Sequence, residues 1–193
     1  MIHHQYLQPS TWFALLRPSL IRPDLALRSI NDLDISLLQK KGIKNILFDI
    51  DHTLSAYHAP HPSILVKVAF EELKSTFNCV GLTNFNHSSE KGPVMRRKRE
   101  VEEGFGMACI IPLNKKPSPR AFVGAMKEHH FNPEETAMVG DRIIADIVGG
   151  NRAGLFTILV RPLHLGTMPL FYRVVTLIER SIFHLYTLFH IIE

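Results

Sequence analysis

Short apolar runs alternate with longer mixed segments through the middle of the chain, and each run has the length of a buried strand. The runs lie at residues 44–49, 79–83, 107–111, 136–139 and 155–160. Helical patterns follow them at about residues 62–77, 88–103, 118–130 and 142–152. Strands joined by helices at this spacing form βαβ units. We therefore expect an α/β fold with a mainly parallel, five-stranded sheet.

The two ends of the chain lack this alternation. Near the N-terminus, Pro18 and Pro23 divide an apolar segment into short pieces, and a helix is predicted over residues 31–42, where Gly42 is a stop signal. The C-terminal end is an amphipathic helical pattern. We expect one domain in three parts, an N-terminal arm with a helix, a core and a C-terminal helix, at residues 1–43, 44–162 and 163–193.

The composition is typical of a folded globular chain, because 46% of the 193 residues are hydrophobic and 21% are charged. The net charge of +4 is compatible with an anionic partner but is small for a nucleic-acid-binding arm. Two cysteines exclude a disulfide scaffold. No signal-peptide pattern and no membrane-spanning apolar run are found, so we expect an intracellular protein that does not span a membrane.

Polar side chains follow four of the predicted strands, at the point where each strand ends. They form the ordered set D-x-D-x-T, T-N, K-P and G-D-x-x-x-x-D, and the residues are Asp49, Asp51, Thr83, Asn84, Lys116, Asp141 and Asp146. Ligands of open parallel sheets bind beyond the carboxyl ends of the strands. A lone Asp after a strand is ordinarily a turn residue or a helix cap. The whole ordered set favours a functional site.

These residue types suit phosphoryl transfer to a carboxylate. Several carboxylates in one place repel each other unless a cation lies among them, and Mg²⁺ prefers such oxygen ligands. A carboxylate can attack phosphorus, and a second one two residues later can protonate the leaving oxygen and then activate water. A hydroxyl such as that of Thr83 can hydrogen-bond a phosphoryl oxygen, and Lys116 can neutralise its charge.

The four motifs resemble those of the haloacid dehalogenase (HAD) superfamily of phosphotransferases and cover most of residues 44–160. The stretches DIDHTL, KKPSPRAF and VGDRIIADIVGGNRAGLFTILV are similar to the YqeG-type branch, which includes phosphatidylglycerophosphate phosphatases of mitochondria and bacteria. The resemblance implies a Rossmann-like three-layer α/β/α sandwich.

The resemblance also implies roles for the four aspartates. Asp49 is the implied nucleophile and Asp51 the general acid/base. Mg²⁺ is the implied cofactor, held by Asp49, the backbone carbonyl of Asp51 and Asp141. Asp146 would support this metal site from behind the ligands or through a water.

The phosphoryl group would be held by Thr83 and Lys116, with Asn84 beside them. Two departures from the branch stand out. His52 occupies a position where the branch usually has Asn, and Thr83-Asn84-Phe85 stands where it often has Ser-Asn-Asn. These departures concern the substrate rather than the reaction class.

The spacing of the motifs leaves no room for a cap domain over the site. Thirty positions separate Thr53 from Thr83, and one helix and one strand use most of them. An open site admits a phosphate on a large carrier. The resemblance, together with such an open site and the apolar arms, implies dephosphorylation of phosphatidylglycerophosphate to phosphatidylglycerol, a step of phospholipid and cardiolipin biosynthesis. The alternatives are a phosphatase of a soluble sugar phosphate or of a nucleic-acid 3′ phosphate, and a non-catalytic phosphate-binding module.

The C-terminal helix has an apolar stripe, which indicates packing on the core, a contact with a second subunit (a homo-oligomer), or a place in a membrane interface. The N-terminal arm favours the membrane, because Trp12 lies near Arg17, Arg22 and Arg28. The expected partners are a phosphorylated lipid and an anionic membrane surface, bacterial cytoplasmic or mitochondrial inner, and nucleic acid is not favoured. The catalytic site is expected to be separate from this tail.

A basic cluster at residues 96–99 lies within the helix predicted over residues 88–103. Glutamates at positions 100, 102 and 103 balance its charge. Charge runs of this kind on a helix are ordinarily a solvated face, and we expect the same here.

Overall fold

The structure is a computed structural model, and it describes residues 12–85 and 91–189. Its sheet has six strands in these residues: β1 (Leu25–Ala26), β2 (Asn45–Phe48), β3 (Asn78–Leu82), β4 (Ala108–Ile110), β5 (Thr136–Gly140) and β6 (Phe156–Leu159). Their order across the sheet is β1-β6-β5-β2-β3-β4, and every neighbouring pair is parallel. The predicted α/β fold with a parallel sheet is confirmed.

The helices are α1 (Pro18–Ile21), α2 (Ile35–Lys40), α3 (Lys67–Thr76), α4 (Lys91–Phe105), α5 (Pro119–His129), α6 (Gly149–Arg152) and α7 (Leu170–Leu188). Single 3₁₀ turns lie at Ala14–Leu16, Ile30–Asp32, Pro133–Glu135 and Leu165–Thr167. A π-helical segment, Ile143–Val148, runs directly into α6. The segment predicted as one helix over residues 142–152 is therefore helical, and its first part has the wider turns of a π-helix.

The prediction of five strands is wrong by one, because β1 adds an edge strand beside β6. β1 has two residues, and Leu25 pairs with Ile158. The preceding Asp24 side chain accepts a hydrogen bond from the backbone N of Thr157 at 2.7 Å. Two residues are too few to show an alternating pattern, so this strand depends on contacts that are distant in sequence.

Two predicted helices begin later than their patterns indicate. The helix expected over residues 31–42 is a 3₁₀ turn followed by α2, and Asp34 caps α2 by accepting from the backbone N of Leu37. The helix expected from residue 62 begins at Lys67. The predicted stop at Gly42 is confirmed, since this residue has a positive φ of 78° and follows the C-cap of α2.

The sheet separates two apolar layers, because successive strand side chains point to opposite faces. On one face, Ile46 and Phe48 of β2 pack with residues of α3 and α4. On the other face, Leu47 packs with residues of α5. The π-helical segment packs with the arm residues 14–21 and with α7 in a third cluster. The architecture is the three-layer sandwich that the resemblance implies.

Helix α7 has one face on the core and one face in solvent. Val175, Thr176 and Glu179 are buried. The exposed apolar side chains of α7 are Leu170, Val174, Leu177, Ile178, Leu185 and Leu188. Core packing, one of the alternatives for the tail, therefore describes one face only. Within the described residues, no helix has the length and apolar character needed to cross a membrane.

Candidate active site

The parallel strands bring the predicted site residues to one edge of the sheet. β2 lies between β5 and β3, so Asp49 at its end is flanked by Asp141 after β5 and Thr83 after β3. A cavity of about 150 Å³ opens at this edge. All seven predicted site residues line it: Asp49, Asp51, Thr83, Asn84, Lys116, Asp141 and Asp146.

Lys116 bridges two of the aspartates at the floor of the cavity. Its Nζ donates to Asp49 Oδ1 at 2.6 Å and to Asp146 Oδ1 at 2.7 Å, and all three side chains are buried or nearly so. Burial alone would lower the pKa of Lys116, but the charges of Asp146 and Asp49 outweigh it and raise that pKa. Lys116 therefore stays protonated and supplies a fixed positive charge beside Asp49.

The pKa values of Asp49 and Asp141 are raised, and burial is the main cause for both. Burial raises the pKa of Asp49 to about 7, against the lowering effect of Lys116. Burial, followed by the charges of Asp49 and Asp146, also raises the pKa of Asp141 well above its ordinary value. Thr53 Oγ1 lies 3.4 Å from Asp49 Oδ2 and 3.3 Å from Asp141 Oδ1. Its hydroxyl can donate to either of these two oxygens.

This donor set fits a divalent cation. Carboxylate oxygens of Asp49, Asp141 and Asp146 lie within 4.8 Å of one another. Asp141 Oδ2 is buried and has no hydrogen-bond partner among the residues that the structure describes. A buried carboxylate oxygen without a donor is costly, and a hard cation with oxygen ligands removes that cost.

Asp146 and Asn84 hold Lys116 from two sides. Asp146 accepts from Lys116 through Oδ1 and from the backbone N of Arg142 through Oδ2 at 3.0 Å. Asn84 Nδ2 donates to Lys116 O, and Lys116 N donates to Asn84 Oδ1, both at 2.9 Å. The amide of Asn84 is thus committed to the Lys116 backbone. Its direct contact with phosphate stays a prediction, as does that of the buried Thr83.

The carboxylate of Asp51 is held by a loop and by helix α4. Asp51 Oδ1 accepts from the backbone N of His58 at 2.6 Å and from Arg97 Nη2 at 3.2 Å. The prediction of a solvated face is wrong for Arg97, which is 2% exposed, although Arg96 beside it is exposed. A usable signal was its spacing: Arg97 precedes the buried Val101 and Phe105 by four and eight residues, so it lies on their helix face.

Aromatic and imidazole rings line the mouth of the cavity. His52 and Tyr57 are stacked, with ring centroids 5.8 Å apart, and His58 lies 5.4 Å from Phe85. His52 Nδ1 donates to Leu163 O at 2.9 Å, and burial lowers the pKa of His52. Its φ of 68° lies in the left-handed region, which His and Asn tolerate better than most residues. This backbone conformation is therefore compatible with His at position 52.

Helix α7 reaches the site directly, so the expectation of a site separate from the tail is wrong. Glu179 accepts from the backbone N of Ile143 at 3.0 Å and from Arg142 Nη2 at 2.9 Å. Arg180 Nη2 donates to Asp141 O at 3.1 Å. The helix therefore fixes the loop that carries Asp141. Sequence patterns show no sign of this, because the partners are nearly 40 residues apart.

A protein family and several known proteins match the part of the chain that carries the site. The family described as mitochondrial PGP phosphatase matches residues 9–163. Phosphatidylglycerophosphate phosphatase 1 of Arabidopsis thaliana, chloroplastic/mitochondrial, is 30% identical over 172 residues, 84% of this chain and 47% of that protein. The probable phosphatase YqeG of Bacillus subtilis is 29% identical over 140 residues, 72% of this chain and 77% of that protein. The chain spans about half the length of the Arabidopsis relative.

A solved HAD-superfamily hydrolase from Geobacter sulfurreducens is 14% identical, covers 64% of this chain and 93% of that chain, and has a TM-score of 0.46. The family match over residues 9–163 includes the positions of all seven site residues that line the cavity. The chain therefore belongs to the mitochondrial PGP phosphatase family.

Proposed function

We propose that the chain is an Mg²⁺-dependent phosphomonoester hydrolase that acts through an aspartyl-phosphate on Asp49. The observation that carries this proposal is the buried group of Asp49, Asp141 and Asp146 around Lys116. A nucleophilic carboxylate, a fixed cation and an unsatisfied carboxylate oxygen lie together where a phosphate can enter. This arrangement supports phosphoryl transfer better than simple phosphate binding, since carboxylates by themselves repel an anion.

In the first step, a carboxylate oxygen of Asp49 attacks phosphorus, and the bond from phosphorus to the ester oxygen breaks. Asp51 gives its proton to that leaving oxygen. In the second step, Asp51 takes a proton from water, the water oxygen attacks the aspartyl-phosphate, and inorganic phosphate leaves with Asp49 restored. Lys116 balances charge on the phosphoryl oxygens, with Thr83 as a hydrogen-bond donor.

Asp49, the backbone carbonyl of Asp51 and Asp141 would hold the Mg²⁺ ion. When bound, the ion supplies positive charge that lets an anionic phosphate approach anionic carboxylates. Asp146 acts behind these ligands, because both of its oxygens are engaged by Lys116 and by the backbone N of Arg142.

The proposed substrate is phosphatidylglycerophosphate. The names of relatives in Arabidopsis and yeast support it, since both are called phosphatidylglycerophosphate phosphatases or phosphatidylglycerophosphatases. The open mouth also supports it: β2 and β3 are joined through one helix, and the described part of the β3–β4 connection is one helix as well. A phosphate carried at a membrane surface can reach such a site.

Peripheral binding to an anionic membrane follows from the lipid substrate. The exposed apolar face of α7 supports this part of the proposal, as do the exposed Arg17 and Arg22 of the N-terminal arm. A mitochondrial or bacterial inner-membrane location belongs to the same proposal.

A phosphate-release panel tests the proposed function. Phosphatidylglycerophosphate in mixed micelles should be hydrolysed in the presence of Mg²⁺ with a higher kcat/KM than soluble sugar phosphates or a nucleic-acid 3′ phosphate. Asp49→Asn should abolish turnover, because an amide cannot form the acyl phosphate, and beryllofluoride should bind the wild-type protein at Asp49. Turnover by Asp49→Asn at the wild-type rate would refute the mechanism, and preference for a soluble ester would refute the lipid substrate.

A further inference from the structure

Arg97 is a buried cation whose hydrogen bonds all point toward the first motif. It extends from α4, and its side chain is 3% exposed. Its Nη2 donates to Asp51 Oδ1 at 3.2 Å, and its Nη1 lies 3.1 Å from His58 O and 3.2 Å from Ala59 O. One guanidinium therefore ties the Asp51 carboxylate to the loop that carries His58, a residue that lines the cavity.

These contacts distinguish the two oxygens of Asp51. Oδ1 accepts from both Arg97 and the backbone N of His58. No residue that the structure describes donates to Oδ2, and Asp51 lines the cavity with its side chain 19% exposed. Two donors on Oδ1 fix the plane of the carboxyl group and leave Oδ2 as the oxygen that can carry the proton.

A buried arginine is costly unless its charge is paired and its N–H groups find acceptors. The planar fork of a guanidinium meets several acceptors at fixed angles, whereas a lysine offers one point charge. Arg97 uses the two terminal nitrogens of that fork on the Asp51 carboxylate and two backbone carbonyls, and Nη1 also lies 3.9 Å from Glu100 Oε2. Its buried Nε has no hydrogen-bond partner among the described residues. This geometry suits orientation of Asp51 better than simple attachment of α4 to the core.

We infer that Arg97 is the positioning residue for the general acid, holding Asp51 so that its Oδ2 delivers the proton to the leaving oxygen. This inference rests on the proposed function, because it requires Asp51 to be that acid. It assigns a role in the reaction to a residue outside the four motifs. Removing Arg97 should therefore impair proton delivery while leaving Asp49, Lys116 and Asp141 in place.

The leaving group reports proton delivery. An alkoxide such as that of glycerol needs a proton as the P–O bond breaks, whereas 4-nitrophenolate leaves well without one. The informative quantity is kcat/KM for glycerol 3-phosphate divided by kcat/KM for 4-nitrophenyl phosphate, since kcat/KM covers the first phosphoryl transfer. Both esters are soluble, so membrane binding does not enter.

The test compares Arg97→Met and Arg97→Lys with the matched control Arg96→Met. Arg96 is the exposed neighbour on the same helix, with its side chain 80% exposed. Arg97→Met should lower the alkyl-to-aryl ratio by at least about tenfold, a part of the roughly 10²–10⁴-fold that a positioned acid/base is worth. Arg97→Lys should lower it less, and Arg96→Met should leave it unchanged.

A double variant separates positioning from general damage to the site. If Arg97 acts through Asp51, Asp51→Asn combined with Arg97→Met should be no worse in this ratio than Asp51→Asn alone. An unchanged ratio in Arg97→Met, or losses that multiply in the double variant, would overturn the inference. If Arg97→Met does not fold, an unchanged ratio in Arg97→Lys overturns it instead.

Asp51→Asn also separates failure of the inference from failure of the proposed function. If Asp51→Asn leaves the ratio unchanged, the acid role of Asp51 is refuted, and the inference falls with it. If Asp51→Asn lowers the ratio and the Arg97 variants do not, only the inference is refuted.

Discussion

At the scale of single residues, the site is a balance between buried carboxylates and too few positive groups. Lys116 neutralises Asp49 and Asp146 in part, while one buried oxygen of Asp141 has no hydrogen-bond partner in the described part of the chain. Burial first, and then the neighbouring carboxylate charges, raise the pKa values of Asp49 and Asp141. A bound cation or a proton must supply the remaining positive charge beside these carboxylates.

The first prediction follows from competition between protons and metal at Asp49. Its pKa of about 7 is higher in the folded chain than the ordinary value, so the folded state holds an extra proton at low pH. In the metal-free protein, protonated Asp49 therefore contributes stability at low pH, and this contribution is lost as the pH rises through about 7. Mg²⁺ requires the deprotonated carboxylate. The rise in Tm on adding Mg²⁺ should therefore be larger at about pH 8 than at about pH 5.5.

Differential scanning fluorimetry with and without Mg²⁺ at the two pH values measures this effect. Asp49→Asn serves as the control, because it removes the titrating group at the centre of the site. Equal Tm shifts at both pH values in the wild-type protein would show that protons and metal do not compete there.

At the scale of elements, two helices outside the strand-end motifs complete the site with buried charges. Helix α4 contributes Arg97, and α7 contributes Glu179 and Arg180. Each binds backbone groups of a site loop, so the loops are held by polar contacts in addition to apolar packing. Helix α7 thus has a positioning function beside its proposed place at a membrane.

The next prediction concerns Glu179, which holds the loop after Asp141. Glu179→Ala removes the acceptor for Arg142 and for the backbone N of Ile143. Leaving buried donors unsatisfied costs about 1–3 kcal/mol, and the loop loses its fixed position. The Mg²⁺ concentration for half-maximal hydrolysis of 4-nitrophenyl phosphate should rise several-fold, and less in Glu179→Gln, whose amide oxygen still accepts.

Leu177→Ala is the control for this experiment, because Leu177 is an exposed position on the same helix. A lower Tm of Glu179→Ala with an unchanged Mg²⁺ requirement would mean that Glu179 stabilises the fold without positioning the metal ligands.

At the scale of the whole molecule, the exposed face of α7 and the arginines of the arm define the proposed membrane side. Phe171, although part of the apolar stripe, packs on the cluster formed by the π-helical segment and the arm. Variants that test membrane binding must therefore avoid Phe171. Leu177 and Leu185 are 58% and 49% exposed and meet this condition.

Leu177→Glu combined with Leu185→Glu should reduce co-sedimentation with anionic liposomes and reduce hydrolysis of lipid substrate. Hydrolysis of 4-nitrophenyl phosphate should stay unchanged, since neither side chain is buried against the site. Binding of the wild-type protein should weaken at high salt, because the arginine charges are screened. Unchanged liposome binding by the double variant would refute this membrane face, and a change of oligomeric state would assign the face to a subunit contact.

The sequence by itself determined the alternation of strands and helices, the parallel sheet and the polar residues that follow the strands. These features can be read from short stretches of sequence, because an apolar run such as residues 44–49 predicts a buried strand by itself. The motif aspartates follow such runs directly. Parallel strands then place Asp49, Thr83 and Asp141 at one edge whatever the details of packing.

Only the tertiary structure decided which polar side chains brace that edge. Arg97 and Glu179 act through partners 46 and 36 residues away in sequence. Whether a charged residue faces solvent or the site depends on helix rotation and on what packs against it. The spacing of Arg97 to Val101 and Phe105 indicates its helix face, but its partner Asp51 is known only from the fold.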